Sequence, residues 1–450
     1  MRFNPRLWNI VPLTAWLSAC QPGADIPLDE TETSTGDGDG DGDGDGDGDG
    51  DGDGDPTTTG DGDGDGDDYE YWYPDCFGYN AGDAQCQLGD ICEPESGTCF
   101  ELEPLADCEP PALLEIPIAD AAQGTILDLS FADLDGDGDD ELLVLQPGSL
   151  VVVDGLASSS VAVDPLIDGI AAAHLDADEH LDVFASSTTP DHSAILLGAG
   201  DGSLLGPEAR TLAGLEHPRA IDWSAVDGDE IAAIRTNADA VYIQALTNET
   251  PIVEQFPLPN TFPSINDALA IHSGDFDGDG LADVLIQDHD GGGSESCGFF
   301  AISPTAGYLF AAHLPLGGAV CHAIGVPRVQ DPTWAFVFTV EYGSTVELRM
   351  IEGLLEFPRA KHVAGGIMAG ELSDLARVDG LGLDGSGLIL AMASGTLLVE
   401  VGDAGFGCLA TLAEPPASER VVVGDFADNE GDEFATIDAD GVIQVWGLAP

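Results

Sequence analysis

The chain has 450 residues, of which 84 are Asp or Glu and 11 are Lys or Arg, so its formal net charge is −73. Such a surface repels phosphates and anionic lipids, which excludes nucleic acids as partners. Divalent cations and neutral or cationic ligands remain compatible with this charge.

Residues 1–20 have the pattern of an export signal. Arg2 and Arg6 precede a short apolar stretch that ends in Leu17-Ser-Ala-Cys20. The stretch is too short to span a membrane and is typical of a secretory signal. Its last four residues resemble a bacterial lipobox, which implies that Cys20 carries a lipid. The alternatives are an ordinary cleaved signal that ends near Ala19 and a cysteine present by chance.

The resemblance to a lipobox also implies a location. Gln21 follows the cysteine, where Asp is associated with retention in the inner membrane. We therefore expect a lipoprotein of the cell envelope that is anchored in the outer membrane and faces the periplasm or the cell surface.

Residues 21–74 are interpreted as an acidic linker, because residues 36–68 are almost entirely Gly and Asp. A segment with no apolar residue to bury and with dense like charges is expected to be disordered. We interpret it as an extended tether, with loose calcium binding as the weaker alternative.

Residues 75–108 are predicted to form a small segment held by disulfides. The segment is too short for a hydrophobic core, and an exported protein favours disulfides over a zinc site. The segment also contains no His and no CxxC pair that could bind zinc. Two bridges in any of three pairings are predicted among Cys76, Cys86, Cys92 and Cys99.

Three further cysteines follow Cys108 in the chain, and simple counting relates them. If Cys297 pairs with Cys321, then Cys408 remains as the partner of Cys108. That pairing would tie the beginning of the last domain to its end.

Two nine-residue runs carry the strongest chemical signal in the chain. They read Asp133-Leu-Asp-Gly-Asp-Gly-Asp-Asp-Glu141 and Asp275-Phe-Asp-Gly-Asp-Gly-Leu-Ala-Asp283. Acidic side chains at positions 1, 3, 5 and 9, separated by glycines, can direct several oxygens at one centre, which suits Ca²⁺. The predicted ligands are Asp133, Asp135, Asp137 and Glu141 with the carbonyl of Asp139, and Asp275, Asp277, Asp279 and Asp283 with the carbonyl of Leu281. A solvated acidic turn is the alternative.

The flanks of these runs exclude an EF-hand, which begins with the same alternation. An EF-hand needs a bidentate Glu at position 12, where this chain has Val144 and Ile286. The flanking segments are short, apolar and bounded by Gly and Asp, which indicates strands.

Five weaker copies of the run lie at 174–182, 222–230, 326–334, 379–387 and 425–433. Together with the two strong runs, they begin every 41 to 53 residues. Each interval holds about four short apolar runs, which is the period of a four-stranded propeller blade. Seven starts predict an all-β, seven-bladed propeller over residues 110–450. We expect residues 113–118 to pair with residues 442–446 and close the ring. Weaker calcium ligands are predicted at Asp176, Asp178, Asp182, Asp425, Asn429 and Glu433.

The loops followed by Val- and Leu-rich strands resemble FG-GAP (VCBS) repeats, as in the propellers of integrin α-subunits. The resemblance covers about residues 110–450 and is strong at the runs that begin at Asp133 and Asp275. It implies calcium loops on one face of a propeller. Function stays open, because the family includes lectins, adhesins and secreted enzymes.

No linear motif indicates catalysis. The nine histidines are scattered through separate repeats, and neither HExxH nor Gly-x-Ser-x-Gly is present. We predict a propeller that is not an enzyme and that binds a protein or glycan partner. The alternatives are an enzyme with a hydrolase or lyase site at the central channel and a purely structural envelope protein. Trp223 and Trp334 are expected in the core, and His174 and His272 at strand or loop edges.

Overall fold

The computed structural model describes residues 90–93, 98–101, 104–119, 124–176, 178–210, 212, 214–223, 229–235, 240–245, 252–257, 268–289, 296–305, 307–315, 322–327, 334–342, 345–352, 361–379, 386–402, 405–412, 418–427 and 432–449. Contacts divide the chain into units 1–67 and 68–450, and every described residue belongs to the second. The predictions on the signal, Cys20, the linker, Cys76, Cys86, Cys321 and Asn429 lie outside the described residues.

Most of the described strands are organised as antiparallel sheets of four strands that follow one another in the chain. The first three four-stranded sheets hold β5 (Asp128–Ala132), β6 (Glu141–Gln146), β7 (Ser149–Asp154) and β8 (Ala157–Ala162); β9 (Gly169–Ala173), β10 (Asp182–Ser186), β11 (Ser193–Leu196) and β12 (Glu208–Arg210); and β13 (Leu215–Ile221), β14 (Glu230–Arg235), β15 (Ala240–Ala245) and β16 (Ile252–Pro257). We number these sheets I to III in chain order.

Sheets IV to VI continue the same order along the chain. They hold β17 (Ala268–Gly274), β18 (Asp283–His289), β19 (Ser296–Ser303) and β20 (Gly307–Pro315); β21 (Ala323–Val326), β22 (Ala335–Tyr342), β23 (Thr345–Glu352) and β24 (Lys361–Ala369); and β25 (Leu372–Asp379), β26 (Ser386–Met392), β27 (Gly395–Gly402) and β28 (Gly405–Thr411).

Sheet VII combines the two ends of the described chain. It holds β29 (Arg420–Gly424), β30 (Glu433–Ile437), β31 (Ile443–Leu448) and β4 (Leu113–Ile116). Val445 pairs with Ile116 and Leu448 with Leu113, so the predicted closure by an upstream strand is confirmed. The last strand therefore has a partner along an edge that would otherwise be open to other chains.

Three short strands precede this ring or join its edge. β1 (Asp90–Glu93) and β2 (Thr98–Glu101) form a two-stranded sheet in which Cys92 lies opposite Cys99. β3 (Ala106–Asp107) pairs in parallel with β28 at the edge of sheet VI. A disulfide joins Cys108 to Cys408, which is the pairing that the cysteine count predicts. The other predicted pair, Cys297 with Cys321, cannot be followed because residue 321 is outside the described part.

The sequence of each strand matches its place in the sheet. The second strand of sheet I, Glu141–Gln146, reads ELLVLQ and its first five residues are buried. Its fourth strand, Ala157–Ala162, reads ASSSVA and is largely exposed. A strand covered on both faces needs a continuous apolar run rather than alternation, whereas the outer strand faces water on its edge.

The core lies between neighbouring sheets rather than at one centre. One cluster of buried side chains joins Leu143 and Leu145 of sheet I to Val183 of sheet II. Another joins Val144 of sheet I to Val445 of sheet VII, so the last sheet packs on the first. The innermost strands β5, β9, β13, β17, β21, β25 and β29 contact one another in that order, and β29 contacts β5. These contacts close a ring, and the fold is an all-β propeller.

No helix among the described residues is long and apolar enough to cross a membrane.

Candidate functional site: acidic turns and a central channel

The predicted calcium loops are the turns between the first and second strands of two sheets. Residues 133–140 join β5 to β6 in sheet I, and residues 275–282 join β17 to β18 in sheet IV. Antiparallel neighbours place these first turns at the same end of every sheet. The acidic turns therefore belong to one face of the ring.

The glycines at positions 4 and 6 set the path of both turns. Gly136 and Gly138 have φ angles of 75° and 105°, and Gly278 and Gly280 have 76° and 87°. This left-handed region is accessible to glycine without a steric penalty. The same two positions in both turns therefore require glycine.

The carboxylate at position 1 closes each turn by accepting amide hydrogens from those glycines. Asp275 Oδ1 accepts from the Gly278 amide at 2.6 Å, and its Oδ2 accepts from the Gly280 amide at 3.0 Å. Asp133 accepts from Gly136 and Gly138 at 2.7 and 3.2 Å. These turn amides have no sheet partner, so side chains supply the acceptors.

Positions 3 and 5 repeat this arrangement one step further along the turn. Asp277 Oδ1 accepts from the Asp279 amide, and Asp279 Oδ1 accepts from the Leu281 amide. Their remaining oxygens accept from the Ser303 hydroxyl at 2.7 Å and the Thr305 hydroxyl at 2.6 Å. The Thr305 hydrogen bond is the main cause that lowers the pKa of Asp279.

The structure brings together three carboxylates in each turn. In sheet IV these are Asp275, Asp277 and Asp283, whose ligand oxygens lie within 4.8 Å of one another. In sheet I the set is Asp133, Asp135 and Asp137, at positions 1, 3 and 5 rather than 1, 3 and 9. Two predicted carboxylate ligands, Glu141 and Asp279, lie outside these sets.

The buried acid at position 9 differs from the others, because one of its oxygens is unsatisfied in sheet IV. Asp283 Oδ2 accepts from the amides of Phe276 and Asp277 at 2.7 and 3.1 Å. Asp283 Oδ1 is buried and has no hydrogen-bond partner. Burial raises the pKa of Asp283 to about 7. A hard cation that accepts carboxylate oxygens fits this donor set and would satisfy the orphaned atom.

In the turn at 174–182, the acid at position 9 belongs to none of the carboxylate sets found among the described residues. Asp182 is fully buried, and its two oxygens accept from the amides of Leu175 at 3.0 Å and Gly198 at 2.8 Å. Asp176 and Asp178 accept from the amides of Asp178 and His180, as positions 3 and 5 do elsewhere. The acid at position 9 is therefore a structural acceptor in this turn.

The bond between the acid at position 9 and the amide at position 2 recurs in five turns. The pairs are Glu141 with Leu134, Asp182 with Leu175, Glu230 with Trp223, Asp283 with Phe276, and Glu433 with Phe426. Burial raises the pKa of Glu141 to about 7, and the hydrogen bond from Leu134 opposes that rise. Of the weaker predicted ligands, Asp425 and Glu433 belong to one such turn.

Sequence reasoning missed a second role for acids in these turns, at position 8. Asp229 accepts from the His174 amide at 2.8 Å, and its own amide donates to the His174 carbonyl at 3.2 Å. The same reciprocal pair joins Asp432 to Asp379 and Asp140 to Asp425. Each pair links neighbouring sheets. An acid directly before the acid at position 9 is the signal that could have revealed it.

Of the two tryptophans expected in the core, Trp223 lies there and Trp334 is only partly buried. Trp223 is buried in the cluster between sheets III and IV. Trp334 meets Phe276 edge to face at 6.4 Å between ring centroids, and the Arg377 guanidinium lies 5.1 Å from its centroid.

The innermost strands enclose a central channel with a cavity of about 1000 Å³. Sequence reasoning did not assemble it, because its lining comes from seven repeats. The polar residues in the lining include Asp128, Asp168, His217, Arg219, His272, His322, Asp374 and Arg420. The channel is the second candidate site of the described structure.

Three charged groups in the channel bind residues of neighbouring sheets. Asp128 accepts from the Ile170 amide at 2.9 Å, and Asp374 accepts from the Val421 amide at 3.0 Å. The Arg420 guanidinium donates to Asp128 at 2.7 Å and to the Leu127 carbonyl at 3.0 Å. These bonds connect sheet I to II, VI to VII, and VII to I.

No protein-family model and no curated protein matches the chain. Solved structures do resemble it. BBS1N in complex with ARL6DN is 12% identical, with a TM-score of 0.53, and the match covers 76% of this chain and 98% of that one. The WD40 domain of Toxoplasma gondii coronin is 10% identical, with a TM-score of 0.48, and the match covers 78% and 89%. An Agrocybe aegerita lectin is 13% identical, with a TM-score of 0.42 and coverage of 63% and 79%. The first likeness supports the propeller fold alone, and FG-GAP membership stays a prediction.

We expect Asp182→Ala to destabilise the protein by about 2–6 kcal/mol, because two buried amides lose their acceptor at roughly 1–3 kcal/mol each. Asp182→Asn should cost less, because the amide oxygen can still accept one bond. Urea unfolding measures both. The exposed control Asp154→Ala should stay within about 0.5 kcal/mol of wild type. An equally small effect of Asp182→Ala would contradict the structural role of position 9.

We expect the calcium-free protein to lose stability as pH rises. The folded-state pKa values of Glu141 and Asp283 are raised from 4.5 and 3.8 to about 7, so the folded state favours their protonated forms. Their contribution is complete below pH about 4 and is lost as pH rises through about 7. Urea unfolding in chelator at pH 5 and pH 8 tests this.

Asp283→Asn should reduce that pH dependence, because an uncharged side chain cannot titrate. The control is Asp201→Asn, since Ser203 lowers the pKa of the Asp201 carboxyl and no loss on raising pH is expected from it. Equal pH dependence in wild type and Asp283→Asn would contradict the assignment.

Proposed function

We propose that this chain is a calcium-stabilised recognition propeller of the bacterial cell envelope. In this proposal each of the seven sheets is one blade of a closed ring, and one calcium ion stabilises each of two acidic turns. The ring binds a protein or glycan partner and performs no catalysis. The lipid on Cys20 and the acidic linker would hold it away from the outer membrane.

The observation that carries the calcium assignment is the buried, unpartnered Oδ1 of Asp283 within the Asp275, Asp277 and Asp283 set. Asp182 has the same position in its turn, but both of its oxygens are satisfied by amides. The difference separates a turn that lacks a ligand from one that is complete without it. Sheet I offers a different set of three carboxylates, Asp133, Asp135 and Asp137 at positions 1, 3 and 5.

The role of the ion would be structural. A divalent cation neutralises carboxylates that otherwise repel one another, and extracellular calcium modules bind with dissociation constants of roughly 10⁻⁴–10⁻³ M. The backbone carbonyl of Asp275, at position 1 of the turn in sheet IV, also accepts a hydrogen bond from the Trp334 amide at 2.9 Å. Fixing this turn therefore also fixes the junction between sheets IV and V.

A binding role fits the way in which acids are used. The acids of the turns and most acids of the channel already accept backbone amides, which leaves few carboxylates for acid–base chemistry. The similar propeller BBS1N was solved in complex with another protein. The opposing class, a hydrolase or lyase, would require the channel histidines to act on a substrate.

Calcium should raise the melting temperature of residues 21–450 relative to chelator. At about 100 times the dissociation constant, each ion adds roughly 2.7 kcal/mol. Asp135→Asn and Asp277→Asn should each remove about half of the shift, and the double variant should remove it. The control Asp178→Asn, in the turn without a cluster, should retain the full shift. Identical wild-type melting curves in calcium and chelator would leave the turns as solvated loops.

A labelled sample of residues 21–450 on a glycan array tests the glycan form of the proposal. We expect binding to a set of related glycans in calcium, with weaker binding in chelator and in the double variant Asp135→Asn/Asp277→Asn. If the wild-type protein is folded in calcium but binds no glycan, glycans are excluded as the partner class. Shortened glycans in the supernatant would instead support the enzyme.

A further inference from the structure

Two histidines in the central channel have ring nitrogens that the fold does not use. His272 lies in β17 and His322 directly precedes β21, and both line the cavity. The Nε2 atom of each is buried and has no hydrogen-bond partner. Buried polar atoms are normally paired, and an unsatisfied one costs roughly 1–3 kcal/mol. Two such atoms on neighbouring strands therefore indicate a missing partner.

Both rings are uncharged at neutral pH. Burial, with smaller effects from the nearby Arg219, His322 and His217, lowers the pKa of His272 to about 3. Burial also lowers the pKa of His322, whose ring bonds to the Leu372 backbone. A neutral imidazole has one donor and one acceptor nitrogen. The pair can therefore donate to and accept from a ligand, but it does not attract an anion as imidazolium would.

The surrounding charges argue against an ionic ligand. Asp128 and Asp374 accept amides of the neighbouring sheets. The described residues of the channel contain no group of three metal-ligating side chains such as those in the acidic turns. Arg219 lies close enough to depress the pKa of His272 and would likewise oppose a bound cation. Arg420, which could attract an anion, is paired with Asp128. Among the buried polar side-chain atoms that line the cavity, those without a hydrogen-bond partner are the Nε2 atoms of His272 and His322, and both belong to neutral rings.

A third histidine in the channel is held in an uncommon backbone conformation. His217 has a φ angle of 51°, at a bulge in β13 between Glu216 and Arg219. Bulges change the direction of side chains next to functional sites, and residues with positive φ concentrate at ligand sites. This bulge places His217 and Arg219 in the same lining as His272 and His322.

We propose that the central channel binds a neutral, hydroxyl-bearing small molecule, such as the terminal sugar of a glycan, through His272 and His322. The choice of a sugar rests on the proposed glycan recognition. A cavity of about 1000 Å³ is large enough for one or two sugar rings. The χ2 torsion of histidine is broad, so a ring rotation can turn Nε2 toward the cavity. Hydroxyl groups then donate to one ring nitrogen or accept from it.

The test is a titration of residues 21–450, ¹⁵N-labelled at histidine and saturated with calcium, followed by imidazole NMR resonances. The added compounds are neutral monosaccharides, citrate and Zn²⁺, each in a separate series. We expect saturable shifts of His272 and His322 with at least one sugar. His192, which is outside the channel lining and bonds to Asp164 at 2.9 Å, should not shift.

Three outcomes of the titration would overturn the inference. If none of the added compounds shifts His272 or His322, the channel holds water only. If only citrate or only Zn²⁺ shifts them, the ligand is ionic. If His192 shifts together with the channel histidines, the effect is non-specific.

Matched variants separate this inference from the proposed function. His272→Gln and His322→Gln should each weaken sugar binding at least tenfold, whereas His192→Gln should leave it unchanged. If wild type binds the array and the double variant His272→Gln/His322→Gln binds equally well, glycans bind elsewhere. The inference then fails while the proposed function stands. If the array is silent but free sugars shift the channel histidines, the inference stands and the glycan-array form of the function fails.

Discussion

The fold depends on acidic side chains that accept amide hydrogens where the sheet cannot. At the turn between the first two strands, the backbone leaves amides without a sheet partner, and burial makes an unpaired amide costly. In five turns the buried acid at position 9 accepts the amide at position 2. This bond holds the first strand, which lines the channel, against the second strand, which lies in the core. A large part of the negative charge near the ring is therefore used as hydrogen-bond acceptors.

The acid at position 9 becomes a candidate cation ligand when one of its oxygens has no hydrogen-bond partner. Asp182 is satisfied by two amides, whereas Asp283 accepts amides with one oxygen and leaves the other buried and unpaired. Only the second case creates a strong local demand for a cation. The burial that raises the pKa of Asp283 to about 7 expresses the same demand, since either a proton or a metal removes the charge. In sheet IV, a single unsatisfied oxygen thus distinguishes the candidate calcium site from the structural turn at 174–182.

Two acids at the channel also bind amides of neighbouring sheets, whereas the Nε2 atoms of His272 and His322 have no hydrogen-bond partner. Asp128 and Asp374 each accept an amide of the next sheet, and Arg420 returns from the last sheet to the first. Because these three groups are paired, the buried polar atoms of the lining that have no partner are the neutral Nε2 atoms of His272 and His322. The acidic turns and the channel therefore call for different ligands, a hard cation at one and a neutral molecule at the other.

The sequence alone determined the features that arise from local repetition. Glycines at positions 4 and 6, acids at positions 1, 3, 5 and 9, and the short apolar runs after them predicted the turns, the strands and the all-β propeller. Counting repeats and cysteines also predicted the pairing of β4 with β31 and of Cys108 with Cys408. Only the tertiary structure decided which acids converge, since Asp279 bonds to Thr305 and Asp283 keeps a free oxygen. The channel was also beyond sequence reasoning, because His217, His272 and His322 lie in separate repeats, and only closure of the ring brings such distant residues into one cavity.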